Sequence, residues 1–180
     1  MRKLKVTELN RLSVEAYRES RKLPLVVVLD DVRSLHNVGS VFRTSDAFRV
    51  ASVYLCGITA YPPHAEIHKT ALGAEDTVDW VYFARVQEAV AKLRQDGYTL
   101  CAVEQAEGSV MLNALAPERG KRYAVIFGNE VKGVSQAVVD VCDMCIEIPQ
   151  YGVKHSLNVS VSAGIVLWDL CTKLSGSLSD

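Results

Sequence analysis

Apolar and polar positions form blocks along most of the chain, and each block has the length of one strand or one helix. Residues 25–29 are continuously apolar, which is typical of a short strand buried on both faces. From 37 to 48 the apolar residues recur at helical spacing, and Asn37 is the predicted cap of that helix. Further strands are predicted over 52–56, 78–83, 98–103, 123–127 and 144–148, and further helices over 66–72, 86–95 and 135–141.

The last quarter of the chain carries the most polar residues in an otherwise apolar setting. Residues 159–162 alternate as in a strand, but apolar residues between 157 and 174 also recur at helical spacing. This run contains no proline and is longer than a typical strand, so we predict a helix capped by Ser156. Its first turn would present Ser156 and Asn158 beside unpaired backbone N–H groups, and small residues over 160–164 would let another backbone approach.

Alternating strands and helices predict a fold class. They indicate an α/β domain with a mostly parallel sheet and helices on both faces, whose sites lie at the carboxyl ends of the strands. Polar turns follow two of these strands, in the segments 30–44, which continues into the helix predicted from 37, and 127–133. The second loop lacks the closing Lys-Ser/Thr of a P-loop and the three glycines of a dinucleotide-binding turn.

Composition limits the domain organisation. The chain has 180 residues, of which 49% are hydrophobic, so we expect one globular domain over 24–174, preceded by an arm over 1–23 and followed by a flexible tail over 175–180. Five cysteines, an odd number in apolar segments, favour reduced thiols and a cytoplasmic location. We expect neither a signal peptide nor a membrane span.

Charge is distributed unevenly. The net charge is −1, yet residues 1–22 contain seven Lys or Arg against three Glu, and a short helix is predicted over 7–20 with Thr7 as its cap. A basic arm on a mildly acidic body is suited to contact with phosphates. A solvated helix explains the same charges, and both interpretations stay open.

Three segments resemble, in order, the motifs of one family. Residues 37–47, 127–130 and 148–160 are similar to the motifs of the SpoU (TrmH-like) branch of the SPOUT RNA methyltransferases. The resemblance extends over about residues 24–172. It implies a deep trefoil knot at the carboxyl end, in which the chain after Ile148 passes through an earlier loop, although true knots are rare.

The resemblance also implies a cofactor and an assembly. The family binds S-adenosyl-L-methionine mostly through backbone groups and forms obligate homodimers. The face over 160–164, together with Ile165, Val166 and Trp168, offers material for the dimer interface. By motif position, the cofactor-binding residues would be Gly128, Ile148 and Leu157, with Val103 and Glu104 at a strand end nearby, of which Val103 is the fourth expected contact.

The implied reaction transfers a methyl group from a sulfonium to a ribose 2′-hydroxyl, which requires positioning and removal of a proton. By motif position Arg43 is the catalytic arginine, and because an arginine is almost always protonated, we expect it to hold the RNA phosphate and hydroxyl together. Four residues would orient Arg43 and the ribose or satisfy the pocket's hydrogen bonds. They are Asn37, Glu130, Ser156 and Asn158. The chemistry requires no metal.

Each of these residues has a structural alternative. Arg43 could be a surface arginine, Glu130 a solvated carboxylate, and Ser156 or Asn158 a helix cap. Cys142 and Cys145 form a CxxC pair, but no second pair accompanies them, so neither zinc nor redox chemistry is favoured.

The resemblance implies that the substrate is structured RNA. Many relatives that act on rRNA carry an additional amino-terminal RNA-binding domain, whereas this sequence shows only the short basic arm, so tRNA is favoured over rRNA. Two other functions stay open, a non-catalytic RNA-binding SPOUT module and a SPOUT enzyme that methylates a base nitrogen.

Overall fold

A seven-stranded parallel sheet forms the centre of the computed structural model, which describes residues 1–174. The predicted tail over 175–180 lies outside the described residues. The order of the strands across the sheet is β3-β2-β1-β6-β4-β7-β5, and every neighbouring pair is parallel. The strands are β1 (Leu23–Asp30), β2 (Val50–Cys56), β3 (Trp80–Phe83), β4 (Tyr98–Val103), β5 (Val110–Met111), β6 (Arg122–Phe127) and β7 (Met144–Glu147).

Helices cover both faces of this sheet, so the predicted α/β class is confirmed. Leu25, Val27 and Leu29 of β1 pack in the larger apolar cluster, and Val26 and Val28 pack in the second cluster on the opposite face. The central strand is thus buried on both sides, as its continuous apolar run predicts. The helices are α1 (Val14–Glu19), α2 (Leu35–Ala47), α3 (Ala65–Ala71), α4 (Val86–Gln95), α5 (Gln136–Val139) and α6 (Val159–Leu174).

Two predicted helix starts are wrong. Helix α2 begins two residues early, because Ser34 Oγ accepts a hydrogen bond from the Asn37 N–H at 3.3 Å; Asn37 therefore lies in the first turn and is not the cap. Helix α6 begins two residues late, because Asn158 Oδ1 accepts from the Ser160 N–H at 2.9 Å. Ser156 lies before this cap, in an exposed loop.

The amino-terminal arm is less helical than predicted. Helix α1 has six residues, and Ser13 rather than Thr7 caps it by accepting a hydrogen bond from the Ala16 N–H at 3.2 Å. Its one buried side chain, Tyr17, joins the larger core cluster. The arm is therefore anchored to the domain by this ring and by Arg18, which donates to the Asp76 carbonyl at 2.9 Å.

The carboxyl-terminal part of the chain returns to the sheet one position in from its edge. Strand β7 lies between β4 and β5, and α6 then packs against α2. Val166 is fully buried there, so its predicted place in a dimer interface is wrong: it faces the core of its own chain. The trefoil knot stays a prediction. Within residues 1–174, no helix has both the length and the apolar character needed to cross a bilayer.

Candidate active site

A cleft of about 660 Å³ opens at the carboxyl ends of the central strands. Three segments form it: the end of β4, the loop after β6 and the segment between β7 and α6. This is where parallel α/β sheets ordinarily bind their ligands. All four residues predicted to bind the cofactor line the cleft, namely Val103, Gly128, Ile148 and Leu157.

The loop after β6 folds back tightly on itself. Asn129 and Gly133 exchange two backbone hydrogen bonds, at 3.2 and 2.8 Å. A Cβ atom on Gly128 would lie 2.1 Å from the Gly133 carbonyl oxygen, so only glycine allows this approach. Asn129 also donates from Nδ2 to the Asp31 carbonyl at 2.8 Å, which fixes the loop to the end of β1.

Glu130 joins this loop to the start of α2. Its two carboxylate oxygens accept hydrogen bonds from the backbone N–H groups of Arg33 and Ser34, both at 3.0 Å, and from Asn37 Nδ2 at 3.2 Å. Burial raises the pKa of Glu130, but these hydrogen bonds to the carboxylate outweigh burial and leave the pKa below its usual value. Glu130 is therefore an ionised acceptor that holds two segments together.

Asn37 continues the network to the third segment. Its Oδ1 accepts a hydrogen bond from Asn158 Nδ2 at 3.2 Å, and Asn158 Oδ1 in turn caps α6. One chain of side-chain hydrogen bonds thus runs from Glu130 through Asn37 to Asn158. The three motif segments identified in the sequence meet at the rim of the cleft through these amide and carboxylate groups.

Glu104 and Gln105, at the end of β4, line the cleft; the sequence analysis named Glu104 only as part of a nearby strand end and missed Gln105. Glu104 accepts a hydrogen bond from the Val134 N–H at 3.0 Å, and Gln105 donates to the His155 carbonyl at 2.6 Å. They tie the end of β4 to the two other walls of the cleft. Their position directly after a buried strand is the signal that could have found them.

Ser156 and Arg43 occupy different environments. Ser156 lines the cleft, is exposed and makes no hydrogen bond with the described residues, so its hydroxyl is available to a ligand. Arg43 lies outside the cleft, on the exposed side of α2, six residues and therefore about 9 Å along the helix from Asn37. The structure does not bring the Arg43 side chain to Asn37, Glu130 or Asn158.

The cysteines form no second site. All five are free thiols, and burial raises the pKa of both Cys142 and Cys145. Among residues 1–174, no group of three or more His, Cys, Asp or Glu side chains has the arrangement needed to hold a metal ion.

The fold is that of solved SPOUT methyltransferase structures. An AdoMet-bound rRNA methyltransferase from Sinorhizobium meliloti superposes with a TM-score of 0.78 at 26% sequence identity, over 91% of this chain and 62% of that one. Residues 24–168 match the model of the SpoU rRNA Methylase family. The chain belongs to this family, so the resemblance recognised in the sequence is confirmed.

The names of the curated relatives include both tRNA and rRNA methyltransferases. A tRNA (guanosine(18)-2′-O)-methyltransferase from Aquifex aeolicus is 34% identical over 157 residues, which cover 84% of this chain and 70% of the relative. A 23S rRNA (guanosine-2′-O-)-methyltransferase from Neisseria meningitidis is 31% identical over 144 residues, 80% of this chain and 56% of the relative. The chain thus spans little more than half the length of the second relative.

Proposed function

We propose that this protein is an S-adenosyl-L-methionine-dependent methyltransferase that methylates the 2′-hydroxyl of a ribose in structured RNA. The observation that carries the proposal is the hydrogen-bonded series Glu130, Asn37 and Asn158, which joins all three family motifs at one cleft. The names of the relatives support the same reaction class.

The cleft fits the donor in size and in chemistry. Its volume of about 660 Å³ suits a ligand of this size, and the Gly128 backbone is left unobstructed by a side chain. Backbone groups of Val103, Gly128, Ile148 and Leu157 would hold the donor. When bound, S-adenosyl-L-methionine supplies a methyl group on a positively charged sulfur, which is open to in-line attack.

The polar residues of the cleft position the acceptor. Glu130 already accepts three hydrogen bonds as a carboxylate, so it is unsuited to take the ribose proton and acts instead by fixing the loop. The hydrogen bond between Asn37 and Asn158 holds the start of α2 and the start of α6 together at the edge of the cleft. Ser156 offers the unpartnered hydroxyl that would contact the ribose.

Arg43 acts from outside the cleft. Its guanidinium is exposed and has no hydrogen bond or ion pair with residues 1–174, so it is free to bind an RNA phosphate beside the methylated nucleotide. Holding that phosphate near the 2′-hydroxyl would place the hydroxyl in line with the methyl group and provide an oxygen to share its proton.

A homodimer would complete this arrangement. Val161, Ile165 and Trp168 follow one another along the outer face of α6 and are 50%, 37% and 59% exposed, respectively. Such an apolar stripe on a helix that packs against α2 is suited to a second copy of the chain.

The five free thiols support the predicted cytoplasmic location.

Transfer RNA is the substrate class that we propose first, and the similarity to the Aquifex tRNA enzyme supports it. The test is incubation with labelled S-adenosyl-L-methionine and, separately, tRNA and rRNA purified from a strain that lacks the protein. We expect label in the tRNA. Label in rRNA alone would reverse the substrate preference, and RNA binding without transfer would identify a non-catalytic module.

A further inference from the structure

Three aromatic side chains gather at the outer edge of the sheet, away from the cleft. Tyr61, from the loop after β2, stacks on Trp80 with 5.9 Å between ring centroids and lies 4.8 Å from the ring of Tyr82. Tyr61 and Tyr82 are 49% and 40% exposed. This aromatic cluster, defined as Tyr61, Trp80 and Tyr82, leaves partly exposed rings at an edge strand, where charged residues are the usual protection.

The protein holds these rings in place. The Tyr82 hydroxyl donates to the Gly57 carbonyl at 3.0 Å, and Trp80 packs against the larger core cluster. Rings that are already fixed lose little conformational freedom when a ligand binds. The cluster therefore has the rigidity of a binding surface.

A cavity of about 500 Å³ adjoins Trp80. Pro62 and Pro63 contribute apolar walls, and His68 contributes a polar edge that pairs with Glu75 at 2.5 Å between Nδ1 and Oε1. The Glu75 side chain is only 7% exposed, while that of His68 is 65% exposed. Apolar walls with a few fixed polar groups suit a flat heterocycle that carries hydrogen-bonding edges.

The cluster lies at the same end of the sheet as the candidate active site. Strands β3 and β6 are three positions apart, which corresponds to about 14 Å at the usual strand spacing. Asp31 joins the two regions: its carbonyl accepts from Asn129 in the cleft loop, and its carboxylate accepts from the Ile58 N–H at 3.0 Å. A strand of RNA only a few nucleotides long can span this distance.

We propose that the aromatic cluster and the cavity beside it bind unpaired bases of the RNA that flank the methylated nucleotide. Aromatic rings stack on bases of any identity, and RNA-binding proteins use them in this way for single-stranded loops. Lys69 of α3 is paired with Glu66, Arg85 before α4 is paired with Glu88, and the acidic Asp76 lines the cavity, so the surface favours base faces over phosphates. The inference rests on the proposed action on RNA and adds the class of substrate, RNA with unpaired bases.

Binding of a single-stranded oligouridylate and of bulk tRNA tests the proposal without requiring methyl transfer. The double variant Y61L/Y82L keeps apolar volume but removes two rings, and we expect its affinity for both RNAs to fall about tenfold or more. The matched control Y61F/Y82F keeps the rings and their packing and loses only the hydrogen bond from Tyr82 to Gly57, so it should bind within about twofold of the native chain. Single Y61L, in a half-exposed loop position, gives the same test should the double variant unfold.

Kinetics show which step the substitutions affect, and cross-linking shows which residues contact the RNA. With tRNA as acceptor, Y61L/Y82L should raise the KM for RNA and leave donor affinity unchanged. Oligouridylate containing 5-iodouridine should cross-link on irradiation to peptides that contain Tyr61, Trp80 or Tyr82. If the leucine variants bind RNA with native-like affinity, as expected of a surface for a protein partner, the inference is overturned. Cross-links confined to other peptides would also overturn it.

The outcomes separate this inference from the proposed function. RNA binding that depends on the rings without any methyl transfer would contradict the proposed enzyme and retain the base-binding surface. Methyl transfer with no dependence on the rings would retain the enzyme and overturn the surface.

Discussion

The cleft and the aromatic cluster lie at the same end of one sheet but are built from different materials. Backbone groups and short amide and carboxylate side chains make up the cleft, and its three walls are joined by hydrogen bonds such as that from Asn158 to Asn37. The cluster instead consists of aromatic rings, with Tyr61 stacked on Trp80 and tilted against Tyr82. From this difference we expect two roles: the cleft fixes the donor and the reacting sugar, and the aromatic cluster holds RNA regardless of base identity.

The largest expected effect is on the reaction itself. We predict that Arg43→Ala lowers the rate of transfer by about a hundredfold or more, because a positioned cation that holds the phosphate is lost. Donor affinity should stay native, since Arg43 lies outside the cleft. Arg119→Ala, which also removes an exposed arginine, is the control and should transfer at the native rate. Loss of donor binding in Arg43→Ala, with a changed circular dichroism spectrum, would make Arg43 a structural residue.

Donor binding provides the second test. In Gly128→Ala the new Cβ would meet the Gly133 carbonyl oxygen at 2.1 Å, so the loop after β6 must shift. We predict a loss of at least about tenfold in donor affinity, measured by calorimetry, with RNA binding at the aromatic cluster retained.

Gly152→Ala is the matched control for that test. Gly152 belongs to the segment between β7 and α6 and has open space where a Cβ would be added. Its donor affinity should stay within about twofold of the native value. Equal affinity in all three proteins would show that the donor does not use the Gly128 loop.

Assembly should respond to changes on α6. The double variant I165E/W168E places two carboxylates in the exposed apolar stripe, and we expect it to be monomeric by size-exclusion chromatography with light scattering. Leu72→Glu changes a residue that is similarly exposed, at the carboxyl-terminal cap of α3, and should leave the mass of the native protein unchanged. A native chain that is itself monomeric would contradict the proposed dimer.

The smallest effect concerns the scaffold between the two regions. Burial raises the pKa of Asp30 to about 6, and the neighbouring Asp31 adds to this shift. Because the folded-state pKa is above the unfolded one, ionisation of Asp30 destabilises the fold at pH values above 6, and this penalty disappears as the pH falls toward 3.8.

Asp30→Asn should therefore stabilise the protein at pH 8 by on the order of 2 kcal/mol and give little gain at pH 4. Thermal unfolding at the two pH values measures the difference. An equal gain at both would mean that the charge of Asp30 is not the cause.

Much of this architecture can be predicted from the sequence. The apolar run of β1 and the block spacing predict the parallel sheet, because a strand buried on both faces has no polar alternation. The two-residue strand β5 was not predicted, since two residues carry no periodicity. The helix starts were misplaced because Ser34, Asn37, Ser156 and Asn158 are all good caps, and only the tertiary contacts decide which one caps.

The site was predicted in part. The motifs identify Glu130, Asn37 and Asn158, and the structure brings them together, but the sequence does not reveal that they contact one another rather than Arg43. The aromatic cluster was not predicted at all. Tyr61, Trp80 and Tyr82 meet because a loop and an edge strand converge in space, and such pairing across 20 residues leaves no local pattern.

The position of the transferred methyl group tests the central claim most directly. RNA labelled by the native protein from S-adenosyl-L-methionine should be digested with alkali, which cleaves a linkage only where the 2′-hydroxyl is free. We predict that the label remains in alkali-resistant dinucleotides. Label recovered in mononucleotides carrying a methylated base, or no label in any RNA, would contradict the account.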